Sequence, residues 1–477
     1  MKKLFFYAAA AVGMLSACSS SDDFASGDAT DNESREAIKI GVASVASEVQ
    51  TRGTGTVGGV MDGETVISPN AWSGQSVNVF MFRKGTLKLA TSDGTDNPTE
   101  ALYKDAIMTT PDGESTGEAT LPQSEYKYYP PSGSFDFYGY RLDDAVTNSP
   151  AALNTEETAY TVDFTIDGTQ DVMRATTLLS DADRNIIESE SNTVKAEDVY
   201  SAKAARHGIQ PNLLFNHLLS RFTFQIKGGN ENSCPKDENN TDETAVKVES
   251  IKLSSRTNGV LTIAHLPANA PENDEYITWS KNETESETVK GITTEEGEFL
   301  PYLTLRNRTA TKKVEVEESE AKENGVLKDG YEYEEVGEKY YKKVEDANVS
   351  LPTEAATGIP NMWIDGASAA KNIGEALLVS PGLDKYTLEI TVKQKILKNP
   401  IADGSEATDD DYRFKTKVYT LDITPDLVKK GEATGIAAFE AGKSYNVIIT
   451  IYGFERIVVT TTLAPWEDGG EINIGQD

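Results

Sequence analysis

The chain has 477 residues, more than one ordinary hydrophobic core accommodates, so two domains are expected. Its 77 acidic against 45 basic residues give a formal net charge of -32, which repels phosphate backbones and anionic headgroups and argues against nucleic-acid binding. With 38% hydrophobic residues and 20 tyrosines the chain is no disordered acidic tail.

In chain order, Lys2-Lys3 precedes an apolar run from Leu4 to Leu15, followed by Leu15-Ser16-Ala17-Cys18. The run is too short and wrongly flanked for a membrane span and reads as a secretory signal, residues 1–17, that is removed. Leu-Ser-Ala-Cys resembles a bacterial lipobox, which makes Cys18 the lipidated residue. Two or three acyl chains there would hold the protein to a bilayer stably, where one would not. Ser19 to Asp23, small residues followed by paired acids, resembles the surface-export signal of Bacteroidota lipoproteins. Residues 19 to about 35 read as a flexible tether. Ile38, Ile40 and Val42 then alternate with Lys39 and Gly41, a strand signature that ends before Thr51-Arg52-Gly53-Thr54-Gly55, a stretch proteases would cut.

Beyond it the pattern is overwhelmingly β. Val77–Phe82 is a nearly continuous apolar run, and Phe135–Tyr140 follows the Tyr129-Pro130-Pro131 breaker. Phe222, Phe224 and Ile226 alternate with polar residues, as do Tyr386, Leu388, Ile390 and Val392, each pattern that of a half-buried strand. Tyr445–Ile451 and Ile457–Leu463 flank Gly453 as a hairpin. Leu213–Ser220 is a helix candidate, one of few. Two β-sandwich domains meeting near residue 208 accommodate these elements, as 53–207 and 208–477. Residues 270 to 350, very hydrophilic and weakly periodic, read as an acidic insertion on the second domain, an elaborated loop or extra hairpin that suits solvent better than a ligand.

Chemical motifs are weak. Gly442-Lys443-Ser444 imitates the end of a phosphate loop, but Ala437 stands where that motif needs glycine, and Tyr445 opens a strand rather than a helix. Asp93–Asp96 and Asp237–Glu243 match no calcium loop. Two cysteines and three histidines give no Cys/His cluster, so no metal or cofactor is expected. With Cys18 lipidated, Cys234 has no disulfide partner within the chain. His217 reads as a packed, hydrogen-bonded structural histidine. No residue is assigned a catalytic role, and the chain is read as a non-enzyme.

Several segments together resemble the fimbrillin family of Bacteroidota, the pilins of type V pili. Phe215-Asn216-His217-Leu218-Leu219-Ser220 leading into Arg221–Phe224 is similar to a Phe-x-His-x-x-Ser signature that runs into a strand. Tyr128-Tyr129-Pro130 before Asp136–Tyr140, then Asp171-Val172-Met173, resemble the family's first domain. Gly442–Tyr445 through Pro465-Trp466 resembles its closing hairpin. The resemblance spans most of the chain outside the acidic stretch.

It implies an all-β fold of two tandem transthyretin-like Greek-key β-sandwich domains with few short helices. It also implies a lipid-anchored precursor on the outer membrane surface, from which an arginine-specific protease removes the leader and the first strand. That role falls on Arg52, leaving Gly53 as the new N-terminus and Ile38, Ile40 and Val42 on the discarded strand. Arg35 is the competing site, but it lies before the strand and would leave no groove. An emptied groove is a template for another chain's strand, and the family fills it with the C-terminal strand of the next subunit. Here the donor would be Ile457, Val459, Thr461, Leu463 and Trp466, with Ile472 and Ile474 as further candidates. Four buried apolar side chains would contribute roughly 6–12 kcal/mol before ordering costs, and a head-to-tail contact that does not close generates a filament.

The expected partners are other fimbrial subunits, the protease, the outer membrane before processing, and a receptor on a host or bacterial surface. A stalk pilin is the first reading, with a tip or anchor subunit as its nearer rivals. A surface glycan-binding lipoprotein is the rival of another class, with Trp72, Trp279 and Trp363 as candidate platforms.

Overall fold

The computed structural model describes residues 36–43 and 72–473. Breaks occur within the second range, the longest being 111–118, 237–244, 346–356, 359–365 and 400–407. Cys18, Arg52, Gly53, Trp363 and Trp466 lie outside the described residues.

The protein is all-β. One sheet has the spatial order 106–109, 76–83, 135–142, 172–177, 212–217, 41–42, 119–120. Its neighbours are antiparallel except 41–42 on 212–217, which run parallel. The nearly continuous apolar run Val77–Phe82, interrupted only by Asn78, is explained by burial of its strand on both faces. Val77, Val79 and Met81 enter a core with Phe137, Leu213 and Phe215, whereas Phe80 and Phe82 enter another with Tyr160, Val162 and Phe164. A second sheet, ordered 277–279, 258–265, 159–165, 146–147, contributes Tyr160, Val162 and Phe164 to that second core.

Arg174 ties the two layers together. It is buried, and its Nε donates to the carbonyls of Thr262 and Ile263 at 3.1 and 2.9 Å. Those acceptors lie where the pairing of 258–265 with 159–165 shifts register, so a cation meets carbonyls at an irregularity in the ladder. The guanidinium sits 3.8 Å over the ring of Tyr276, within cation–π range.

The remaining strands enclose a third core. The sheet ordered 371–379, 220–228, 444–451, 457–464, 471–473, 428–430, 433–434 supplies one side, and 291–293, 299–304, 247–254, 386–397, 412–423 the other. Phe222, Phe224 and Ile226 point inward as their alternation predicts, against Leu388, Ile390, Val392, Val447 and Ile449. Phe222, Tyr386, Phe439 and Tyr445 form an aromatic cluster with centroids 4.9 to 5.6 Å apart, the spacing at which ring quadrupoles attract.

Two expectations differ from what is found, and one strand pairing crosses the expected domain boundary. Leu213–Ser220 is not a helix: Asn212–His217 and Ser220–Gly228 are strands. Leu213, Phe215 and His217 are buried in alternation, and pairing with 172–177 overrides the local pattern. The stretch 270 to 350 is not a single solvated insertion. Phe299–Thr304 pairs with Lys247–Ser254 and buries Leu300 and Leu303 in the third core. Asn258–His265, C-terminal to residue 208, pairs with Ala159–Thr165, N-terminal to it, so the two halves of the chain share a sheet.

Tyr445 supplies a pH signature. Burial pushes its phenol up to about 12, opposed by the hydrogen bond its hydroxyl accepts from the Glu440 amide at 3.0 Å. An unfolded tyrosine ionises near 10, so between about pH 10 and 12 the native state holds a proton the unfolded state has lost. Stability contributed by Tyr445 is complete below about pH 10 and is lost as pH rises through about 12. Tyr445→Phe is expected to shrink the fall in urea midpoint between about pH 9 and pH 11. An unchanged fall would contradict this.

Candidate strand-exchange groove

The first strand, Gly41–Val42 with the extended residues before it, lies inside a sheet rather than at its edge. Gly41 and Val42 pair parallel with Asn212 and Leu213 on one side and antiparallel with Thr120 and Ala119 on the other. Gly41 and Ala43 donate to the carbonyls of Pro211 and Leu213, both at 2.9 Å. On the opposite edge Ile38 donates to Lys127 at 2.8 Å, Leu121 donates to Ile40 at 2.8 Å, and Tyr129 donates to Glu36 at 2.9 Å. Alternation places Ile38, Ile40 and Val42 on one face, each fully buried, with Lys39 exposed between them. The three join the core cluster that holds Leu121, Tyr129, Leu213 and Phe215. Their burial is worth roughly 5–9 kcal/mol in total.

Three side chains from elsewhere also hold the strand, each through a hydrogen bond to its backbone. Gln210 takes both groups of one peptide stretch: its Nε2 donates to the Ala37 carbonyl at 3.1 Å, and its Oε1 accepts from the Lys39 amide at 3.1 Å. Gln123 donates to the Ile38 carbonyl at 2.9 Å while accepting from the Tyr103 hydroxyl at 2.7 Å. Trp72 donates its indole N–H to the Ala43 carbonyl at 3.0 Å. Trp72 is fully buried and meets Phe215 edge-on at 4.9 Å. Phe215 in turn packs where Gly139 leaves room, since a Cβ at Gly139 would stand 2.9 Å from its ring.

The chain leaves the described residues at Ala43 and re-enters at Trp72, so this indole bond closes the stretch 44–71 that contains Arg52. Removal of the first strand would leave the amides of Leu121 and Tyr129 and these three side chains without their present partners. A buried donor or acceptor left unsatisfied costs about 1–3 kcal/mol.

The other half of the expected site, Ile457–Ala464, is an inner strand of its own sheet. It runs antiparallel to Ser444–Ile451, from Tyr445 opposite Leu463 to Ile451 opposite Ile457, with Glu471–Asn473 on its other side. Ile457 and Val459 are buried in the third core, and Gly453 takes φ +98° in the connecting turn. Ile472 lies in the short 471–473 strand; Ile474 lies outside the described residues.

His217 is buried with its Nδ1 2.6 Å from Oδ2 of the fully buried Asp171, a hydrogen bond that fastens 212–217 to the start of 172–177. The sequence shows the strand and its apolar slots but not Gln123 or Gln210, which read there as polar loop residues, and it offers Trp72 only as a candidate glycan platform. Trp72 is buried and so is no exposed platform; Trp279 is half-buried and packs edge-on against Phe164 at 5.7 Å.

No family model matches the chain, and no curated protein does. Solved structures do resemble it. A candidate cell adhesion protein from Bacteroides uniformis matches at TM-score 0.38 and 12% identity, over 92% of this chain and 100% of that one. The fimbrial anchor protein Mfa2 from Porphyromonas gingivalis matches at TM-score 0.30 and 10% identity, over 92% and 100%. A fimbrilin from Porphyromonas gingivalis matches at TM-score 0.31 and 8% identity, over 93% and 99%. No residue role transfers at such scores.

The energetics of the groove are open to measurement in the full chain. Ile40→Ala is expected to lower stability by about 2–5 kcal/mol, the range for a fully buried Ile→Ala truncation. Trp72→Phe keeps the ring and loses the indole donor, at about 1–3 kcal/mol. Urea unfolding checks both; a loss below about 1 kcal/mol for Ile40→Ala would show that the first strand is not integral to the fold.

Proposed function

We propose that the chain is a structural, non-enzymatic subunit of a cell-surface fimbrium, a stalk pilin that polymerises by strand exchange. In this reading it is exported as a lipoprotein acylated on Cys18 and displayed on the outer membrane. An arginine-specific protease cuts it after Arg52, and Gly53 becomes the mature N-terminus. The observation that carries the reading is the position of the first strand. It is an inner strand, held on both edges, yet it belongs to a segment that a single cut within 44–71 separates from the rest of the chain.

The vacated site would offer two unpaired edges and three apolar slots, the chemistry by which a sheet captures an extended peptide. Ile457 to Trp466 of a second copy is the proposed occupant. Because that strand completes its own sheet in the monomer, donation is an exchange. Its pairing with 444–451 and 471–473 is given up for equivalent pairing in the neighbour, so the net gain is smaller than the gross burial. Repetition of this heterologous contact gives a filament. A receptor on a host or bacterial surface belongs to the same proposal.

Protein recovered from the outer surface of the native host tests it by mass spectrometry. The expected species starts at Gly53, carries no lipid and runs in high-molecular-weight ladders. Arg52→Ala is expected to leave an acylated precursor and no ladders. Wild-type protein that remains monomeric with acylated Cys18 would overturn the stalk reading in favour of an anchor subunit or a glycan-binding lipoprotein.

A further inference from the structure

We infer that Trp72 is a register stop. It fixes how far an incoming strand slides into the first-strand groove by capping the carbonyl of Ala464 of a second copy of this chain. This rests on the strand-exchange reading and adds to it a single register and the residue that enforces it.

Gln210, Gln123 and Trp72 bind peptide groups at Ala37, Ile38, Lys39 and Ala43, so side-chain identity does not enter those contacts. Such a groove accepts any extended chain whose apolar residues fall two apart, and it would permit sliding by two residues. Its end is different. Ala43 is buried although it lies off the face of Ile38, Ile40 and Val42, and its carbonyl is covered by an indole that is itself fully buried. The occupant therefore needs a small residue at that place.

One register of the terminal strand meets these demands. With the polarity of the strand it replaces, Val459, Thr461 and Leu463 take the slots of Ile38, Ile40 and Val42. Thr460 and Thr462 then take the places of Lys39 and Gly41, and Ala464 takes that of Ala43. Pro465 follows just past the cap, where its missing N–H costs no pairing. Sliding back by two puts Thr462 in the place of Ala43 and drives Leu463 past the indole. Sliding forward by two puts Pro465 in the slot of Val42. Sliding by one turns Val458, Thr460 and Thr462 inward and Leu463 out.

Cysteine pairs read the register directly. Gly41 faces Thr120 across an antiparallel pair, and directly opposed residues there come close enough for a disulfide. The inferred register places Thr462 opposite Thr120; sliding back by two places Thr460 there. Full-length T120C/T462C and T120C/T460C chains, with each single variant as control, are expressed in the native host, and their surface ladders are resolved with and without reductant. T120C/T462C is expected to give ladders stable to denaturation until reduced, and T120C/T460C is not. Adding Trp72→Phe should bring the T120C/T460C cross-link up to a comparable yield, which a purely stabilising tryptophan would not do.

Cross-linking of T120C/T460C in the presence of Trp72 overturns the register. Ladders with neither cross-link overturn the choice of donor residues while leaving strand exchange standing. Absence of ladders from the unmodified chain removes strand exchange itself, and the register with it. A Trp72→Phe chain that still cross-links through T120C/T462C alone removes the tryptophan's role.

Discussion

A strand inside a sheet must have its peptide groups satisfied along both edges, and so must the strands beside it. That constraint governs the first strand of this protein more than its side chains do. Its N–H and carbonyl groups are shared between Pro211 and Leu213 on one side and Leu121, Lys127 and Tyr129 on the other. Gln123, Gln210 and Trp72 complete the set from loops. Loss of the strand would break these hydrogen bonds and leave donors and acceptors in the core to be satisfied by another extended chain or by water. Up to the place of Ala43, whose carbonyl Trp72 covers, the occupant is under far weaker constraint: alternate apolar residues and an unobstructed backbone suffice.

Neighbouring residues form the walls of that place. Phe215, which helps bury the strand's apolar face, is positioned by Gly139 beneath it and Trp72 beside it. The strand carrying Phe215 is anchored by the His217–Asp171 pair, three residues before the chain enters the third core through Ser220–Gly228. Arg174 clamps the neighbouring strand to the second layer. The first-strand groove and the 444–464 hairpin are therefore linked through a continuous β framework, in which 220–228 runs parallel to 444–451.

Much of this was legible in the sequence because period-two alternation is written locally. Ile38, Ile40 and Val42, Phe222 to Ile226, Tyr386 to Val392 and the 445–463 hairpin all fold as their patterns predict. Leu213–Ser220 misled because its paired leucines also suit a helix, and only the distant 172–177 strand decides between the two. Phe299–Thr304 was hidden by the acidic residues around it, which dilute a six-residue apolar strand in any window average. The residues that grip the first strand left no signature. Trp72, Gln123 and Gln210 lie 29, 85 and 173 residues from the carbonyls they cap, and a side chain that binds backbone has no periodicity to betray it.

Amide hydrogen exchange, followed by mass spectrometry with residue-level fragmentation, reads whether the first-strand groove is filled. The amides of Leu121 and Tyr129 donate to Ile40 and Glu36 and so report occupancy of the groove. The account predicts protection of both in the uncut chain, rapid exchange in freshly cut monomer freed of its leader, and renewed protection in the polymer. Protection that survives removal of the leader from a monomer would contradict it, because the sheet would then be closed without the first strand.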